Sequence, residues 1–323
     1  MSDRILLAIP NVGDAEARNL KACIDENFVS TVGRFVGELE EKCADISGTS
    51  MGVATAAGTQ ALHMSLRALN IGADDLVILP SFTFIASANA IRHSGAMPWL
   101  MDISNDWTLC PEAVSRALEA NCTIENGQCI HRPTGKRVAA MMPVYTLGTP
   151  ADMSALNAIA KRWHLKTIAD AAAAIGVSIA GAPIGEFADA TCYSFNGNKT
   201  ITCGGGGMIV GNDETMMKRA KHLTTTARVP PNYDHDEVGY NYRMTNLEAA
   251  VGCAQMGKLD DFLIAKQRIR KAYNTAFADR AGIVGFPAPA ERTSTCWFSG
   301  FVFEDPKHAV STFCEHLNAY NIE

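Results

Sequence analysis

Lys199 lies between a strand-patterned stretch, Tyr193-Ser194-Phe195, and a run of four glycines at 204–207. A second apolar run, at 165–169, ends on Asp170 and is followed by four alanines. An amine on a loop and a carboxylate at a strand end are the two protein groups that pyridoxal phosphate chemistry needs most: the amine forms a Schiff base, and the carboxylate keeps the pyridine nitrogen protonated so that the ring accepts electrons from a carbanion. Alone, Lys199 reads as a solvated loop lysine and Asp170 as a helix cap. Together they make a cofactor-dependent transferase the leading expectation.

The neighbouring residues supply what a phosphorylated cofactor would need. Ser194 offers a hydroxyl, and the glycine run lets backbone pass close to a ligand. Ala57-Gly58-Thr59-Gln60 opens a helical pattern, where free N–H groups make an anion site, although Thr59 could equally be a simple N-cap. Pro80-Ser81-Phe82-Thr83-Phe84 follows a strand and brings aromatic rings to its end, where a ring could stack on a pyridine or belong to the core. Gly239-Tyr240-Asn241-Tyr242-Arg243 is polar, aromatic and basic ahead of a long helix. There, Asn241 and Arg243 could bind phosphate in their own site or across a dimer interface. No G-x-G-x-x-G opens a helix, and Asn198 precedes Lys199 where a Walker loop has glycine, so neither NAD nor ATP is supported. His93, His222 and His235 have no metal-ligand spacing, and no metal is expected.

These groups require a scaffold that collects strand ends. After helical patterns at 14–28 and 33–47, strands at 51–55, 76–80, 98–102, 138–144 and 166–170 alternate with helices at 59–70, 83–93, 111–120 and 152–163. Strands at 190–195 and 208–211 follow. This rhythm predicts an α/β fold with a mostly parallel sheet covered by helices on both faces, and ligands binding beyond the carboxyl ends of the strands. Asn126-Gly127 marks a hairpin turn within an inserted surface ribbon at 121–137. A long helical pattern at 246–277 leads towards a smaller α+β domain with a strand at 297–303 and a helix at 307–320. The expected division is a large domain over 1–255 and a small one over 256–323.

With 323 residues, 47% of them apolar and 19% charged, the chain is globular and can bury a core. A net charge of −6 argues against a general nucleic-acid binder. The ten cysteines form no C-x-x-C pair, which suits buried free thiols in a reducing cytosol. With no signal peptide and no span of about 20 apolar residues, a cytoplasmic protein without a membrane partner is expected.

Together, Gly58-Thr59-Gln60-Ala61-Leu62, Pro80-Ser81-Phe82-Thr83-Phe84-Ile85-Ala86, Asp170-Ala171-Ala172, Ser194-Phe195 with Lys199, the glycine run and Gly239-Tyr240-Asn241-Tyr242-Arg243 resemble the DegT/DnrJ/EryC1/StrS sugar-nucleotide aminotransferases, from about residue 9 to the end. Within that family the ribbon, the wording Phe195-Asn196-Gly197-Asn198-Lys199 and His222-Leu223-Thr224-Thr225-Thr226-Ala227 are most similar to C4-aminotransferases of the legionaminic-acid and bacillosamine type. The resemblance implies a fold-type I, aspartate aminotransferase-like architecture. It also implies Lys199 as Schiff-base lysine and general acid/base, Asp170 as partner of the pyridine nitrogen, Phe84 as stacking ring, and Gly58, Thr59 and Ser194 as phosphate ligands. Asn241 would reach the cofactor of a second subunit in a homodimer, and Arg243 and Tyr240 would meet substrate. Glutamate would donate the amino group to a 4-keto-6-deoxy sugar carried on UDP or GDP.

Two departures from the family pattern stand out. Where family members usually have Glu or Gln, this chain has Ala173, and losing one buried polar contact costs about 1–3 kcal/mol, so weaker cofactor binding is expected unless a water or neighbouring side chain compensates. Family members also continue beyond the point matching Glu323, so the small domain is expected to be incomplete. The rival readings are a silent relative that binds nucleotide sugar, a sugar dehydratase of the same family, which carries histidine in place of Lys199, and an aminotransferase or lyase acting on small amino acids.

Overall fold

The computed structural model describes residues 4–305 and 310–323. Helices α1 (Asp14–Asp25) and α2 (Arg34–Ser47) precede strand β1 (Met51–Thr55), helix α3 (Gly58–Ala68), β2 (Asp75–Pro80), α4 (Ile85–His93), β3 (Met97–Met101) and α5 (Pro111–Asn121). The ribbon follows as β4 (Cys122–Glu125) and β5 (Gln128–His131), with Asn126 and Gly127 at its tip, both at positive φ. Next come β6 (Lys136–Met141), α6 (Met153–Trp163), β7 (Lys166–Asp170), a small hairpin of β8 (Ser178–Ile179) and β9 (Ala182–Pro183), β10 (Ala190–Ser194) and β11 (Gly207–Gly211).

Among the described residues the main sheet runs β1-β11-β10-β7-β6-β2-β3, and β5 and β4 extend it from β6. The pairs from β10 through β7, β6 and β2 to β3 are parallel, whereas β11 is antiparallel to both β10 and β1. Successive residues of β11 enter opposite cores: Met208 and Val210 join Leu39, Tyr193 and Phe195, while Ile209 joins Val53, Leu62 and Met64. Each fully buried side chain of this size stabilises the fold by about 1.5–3 kcal/mol. This two-sided burial is what makes the strands read as continuous apolar runs. It also leaves the carboxyl ends of the parallel strands as the place where polar groups can gather.

The remainder comprises α7 (Glu214–Thr224), a short pair of β12 (Arg228–Val229) and β13 (Asp234–His235), α8 (Asn246–Met256), α9 (Leu259–Phe277), β14 (Ile283–Gly285), β15 (Phe301–Phe303) and α10 (Val310–Ala319). Two expectations need correction, and one helix was not anticipated. The long helix at 246–277 is two helices: α8 starts with a Thr245–Glu248 capping box and is largely buried, and the chain turns at Gly257-Lys258, where Lys258 Nζ pairs with the buried Glu16 carboxylate at 2.6 Å. The strand expected at 297–303 is confined to Phe301–Phe303, which pairs with β14, because residues 297 and 298 turn towards the Lys199 loop. Helix α7 was not foreseen, although Asp213, whose carboxylate accepts from the Thr215 and Met216 amides, is a legible N-cap. The helix expected at 307–320 is α10 from Val310 on; Lys307 lies outside the described residues.

The cysteines are free thiols, buried except for the half-buried Cys110 and the exposed Cys314. Among the described residues, no helix is long and apolar enough to cross a membrane, and no cluster of His, Cys, Asp or Glu could hold a metal ion.

Candidate active site

Asp170 is the last residue of β7, between Val144 beyond β6 and Cys192 on β10. The residue is 5% exposed. The Ser87 hydroxyl, from the first turn of α4, donates to Oδ2 at 2.6 Å, and the Ala172 amide donates to Oδ1 at 3.2 Å. Burial pushes the carboxyl above its ordinary pKa, while the two hydrogen bonds and the charge of Lys199 pull it back. Sequence reasoning missed Ser87, because nothing in the pattern of α4 separates it from an ordinary helix serine.

Lys199 sits in the loop between β10 and β11, its amide bonded to the Asn196 carbonyl at 3.0 Å. Burial lowers its amine to about 8, against the opposing pull of Asp170. A lysine brought that close to neutrality offers an unprotonated amine for Schiff-base formation near pH 8. The indole of Trp297 lies over Nζ, with the ring centroid 3.6 Å away. On the side facing α9, a cavity of about 130 Å³ touches Lys199 and is lined by Ile9, Asn11, Thr200, Gln255 and Lys266.

The third arm is the start of α3. The helix begins at Gly58, one residue earlier than the sequence pattern places it, so the N-cap is Ala57, which has no side chain able to cap, and Thr59 stands inside the first turn. The first amides of a helix have no intrahelical acceptor, and here no side chain replaces one. A Cβ on Gly58 would lie 2.8 Å from Ser194 Cβ and 3.2 Å from its hydroxyl, so only glycine lets the two approach. A Cβ on Gly207 would fall 2.6 Å from the Ala57 carbonyl, so the glycine run lets β11 press on the same turn. Gln60 Oε1 is buried there with no hydrogen-bond partner. Uncapped amides at a helix start with a hydroxyl beside them fit a phosphate monoester, so the residues present suit pyridoxal phosphate.

The other sequence candidates lie around this centre. Phe84 is the N-cap of α4, three residues before Ser87, and the residue is 79% exposed. Arg243 bridges Thr55 at the end of β1, and the Tyr242 carbonyl accepts from the Ala56 amide at 2.9 Å, so this segment lies beside the entry to α3. Asn241 is exposed, with its backbone bridged to Thr225. Tyr240 and Tyr242 pack their rings on His63 of α3, at 5.0 and 5.9 Å. Thr295, which the sequence did not flag, donates its hydroxyl to the Ala173 carbonyl at 2.7 Å.

The parallel sheet, the carboxylate at the end of β7, the lysine after β10 and the anion-ready turn of α3 define a fold-type I pyridoxal phosphate-dependent transferase. Residues 10–323 match the profile of the DegT/DnrJ/EryC1/StrS aminotransferase family. The chain is 38% identical over 281 residues to the GDP-perosamine synthase of Caulobacter vibrioides, covering 86% of this chain and 72% of that one. It is 32% identical over 307 residues to EpsN of Bacillus subtilis, whose name places it among pyridoxal phosphate-dependent aminotransferases, covering 94% and 76%. Among solved structures, DesV of S. venezuelae in complex with a ketimine intermediate superposes with a TM-score of 0.84 at 28% identity, covering 95% and 78%. The chain belongs to the DegT/DnrJ/EryC1/StrS family and is a pyridoxal phosphate-dependent aminotransferase.

Proposed function

We propose that this enzyme moves an amino group from glutamate to the C4 ketone of a 4-keto-6-deoxy sugar carried on UDP or GDP, in the biosynthesis of a surface polysaccharide or nonulosonic acid. The observation that carries the reading is the convergence of Lys199, Asp170 and the uncapped start of α3 at the carboxyl end of one sheet. The nucleotide-sugar part is supported by the similarity to a GDP-perosamine synthase.

In this reading Gly58, Thr59 and Ser194 bind the cofactor phosphate, and Phe84 stacks on the ring. Asp170, oriented by Ser87, holds the proton on the pyridine nitrogen. When bound, the cofactor supplies the electron sink that stabilises negative charge on the carbon losing its proton. Lys199 Nζ holds and moves that proton, and burial keeps its basicity low enough to release it again. Arg243 and Tyr240 meet substrate, and Asn241 reaches the site of a second subunit, making the homodimer the working unit. Residues 256–323 form the smaller domain.

The test is the visible spectrum of purified protein with pyridoxal phosphate, before and after glutamate, in wild type and Lys199→Ala. The expected result is a yellow band that glutamate bleaches in the wild type and that the variant does not form through its own amine. Restoration of the band by a 4-keto-6-deoxy sugar nucleotide identifies the acceptor. A wild type that stays colourless, or is bleached only by other amino acids, refutes the proposal.

A further inference from the structure

The chain segment around Trp297 reaches the Asp170 and Lys199 arms of the site. The Thr295 hydroxyl holds the Ala173 carbonyl, three residues after Asp170. Cys296 then adopts a left-handed backbone conformation, φ 51°, which turns the chain before Trp297. The indole N–H of Trp297 donates to the Asn198 carbonyl at 2.6 Å, immediately before Lys199, and the indole face covers Lys199 Nζ. The segment is itself anchored. Phe298 stacks on Trp297 at 4.1 Å, and two cations one turn apart on α9, Lys266 and Arg270, bind the carbonyls of Trp297 and Phe298 at 2.9 and 3.1 Å.

We propose that Trp297 is a positioning residue for Lys199: its indole N–H pins the loop that carries the amine, and its ring shields the amine from water. The proposal rests on the reading of Lys199 as the Schiff-base amine, and it adds a residue that acts through that lysine. The charged group acting on the amine is Asp170 from β7; Lys266 of α9 lines the same cavity as Lys199 and, with Arg270, holds the carbonyls of Trp297 and Phe298. A ring over an ammonium favours the charged form, whereas loss of water disfavours it. The amine lies below its ordinary value with burial as the leading cause, and the indole is one of the groups that bury it, so we take the shielding as the larger effect. Opening the roof should therefore raise the amine's pKa.

The experiment is trace acetylation of cofactor-free protein between pH 6 and 11, following the peptide that contains Lys199 by mass spectrometry and reading the pH midpoint instead of the rate. The wild type is expected to show a midpoint near 8. Trp297→Ala should move it up by about one unit or more, because water regains access to the ammonium. Trp297→Phe, which keeps a ring but no N–H, should stay within about half a unit of the wild type. A Trp297→Ala midpoint equal to the wild type's, in a protein that melts like the wild type, overturns the proposal and leaves Trp297 a packing residue. If Trp297→Ala does not fold, tryptophan emission decides: the wild type should show a step near pH 8 that is absent in Lys199→Ala, and absence of that step in the wild type overturns the proposal equally. Neither measurement involves cofactor or sugar, so failure of the transaminase reading would leave the result interpretable.

Discussion

Replacing Ser87 with alanine removes one oxygen from the site and leaves the helix that carries it intact. The hydroxyl donates at 2.6 Å to Asp170 Oδ2, with Ser87 fully buried and Asp170 5% exposed. A hydrogen bond to a buried carboxylate contributes about 1.5–3 kcal/mol. Its loss pushes further up an Asp170 pKa that burial already raises. Asp170 must be ionised to hold a protonated pyridine nitrogen, so pyridoxal phosphate affinity should fall about 10–100-fold if the whole loss is expressed in binding. The assay is absorbance titration of the cofactor-free variant with pyridoxal phosphate at several pH values. The deficit should be largest at the acidic end and shrink as pH rises and the carboxyl ionises. A dissociation constant within twofold of the wild type at every pH would refute the argument, and a deficit independent of pH would show that the hydroxyl acts through shape alone.

Gly207→Ala puts a methyl 2.6 Å from the Ala57 backbone, which cannot rotate away, so chemical denaturation should show a loss of about 1–3 kcal/mol together with weaker phosphate binding; unchanged stability would mean that the turn of α3 yields. His63 is buried among Tyr240, Tyr242 and His93 with both ring nitrogens unpaired, and burial lowers its pKa from 6.5 to about 4. The unfolded chain therefore binds the extra proton between these values, so the stability linked to His63 is complete above about pH 6.5 and is lost as pH falls towards 4. His63→Leu should flatten the decline in melting temperature over that window, and an unchanged slope would assign the decline to other groups.

Much of the fold was legible because its strands are buried on both faces and separated by helices, which leaves a strong one-dimensional pattern. Residues 51–55 and 166–170 are strands where the apolar runs place them, and the hairpin forms at Asn126-Gly127. The division of 246–277 was illegible because Gly257 is tolerated inside helices, and the ion pair from Lys258 to Glu16 joins elements distant in sequence. Thr59 reads as a cap only until the helix start is known, and a shift of one residue exchanges a capped helix for an open anion site.

The sequence by itself determined the chemical inventory: an amine in a glycine-bounded loop, a carboxylate closing an apolar strand, and a helix opening on Gly58-Thr59. Those signals are local, set by periodicity and by what each side chain can do. Only the tertiary structure decided the partnerships: Ser87 with Asp170, Gly58 against Ser194, Thr295 on Ala173 and Trp297 over Lys199. Each depends on strand order and on where a distant chain segment turns back. Hydrogen bonds and ring contacts require placement within a few tenths of an ångström, which residue types and spacing do not encode.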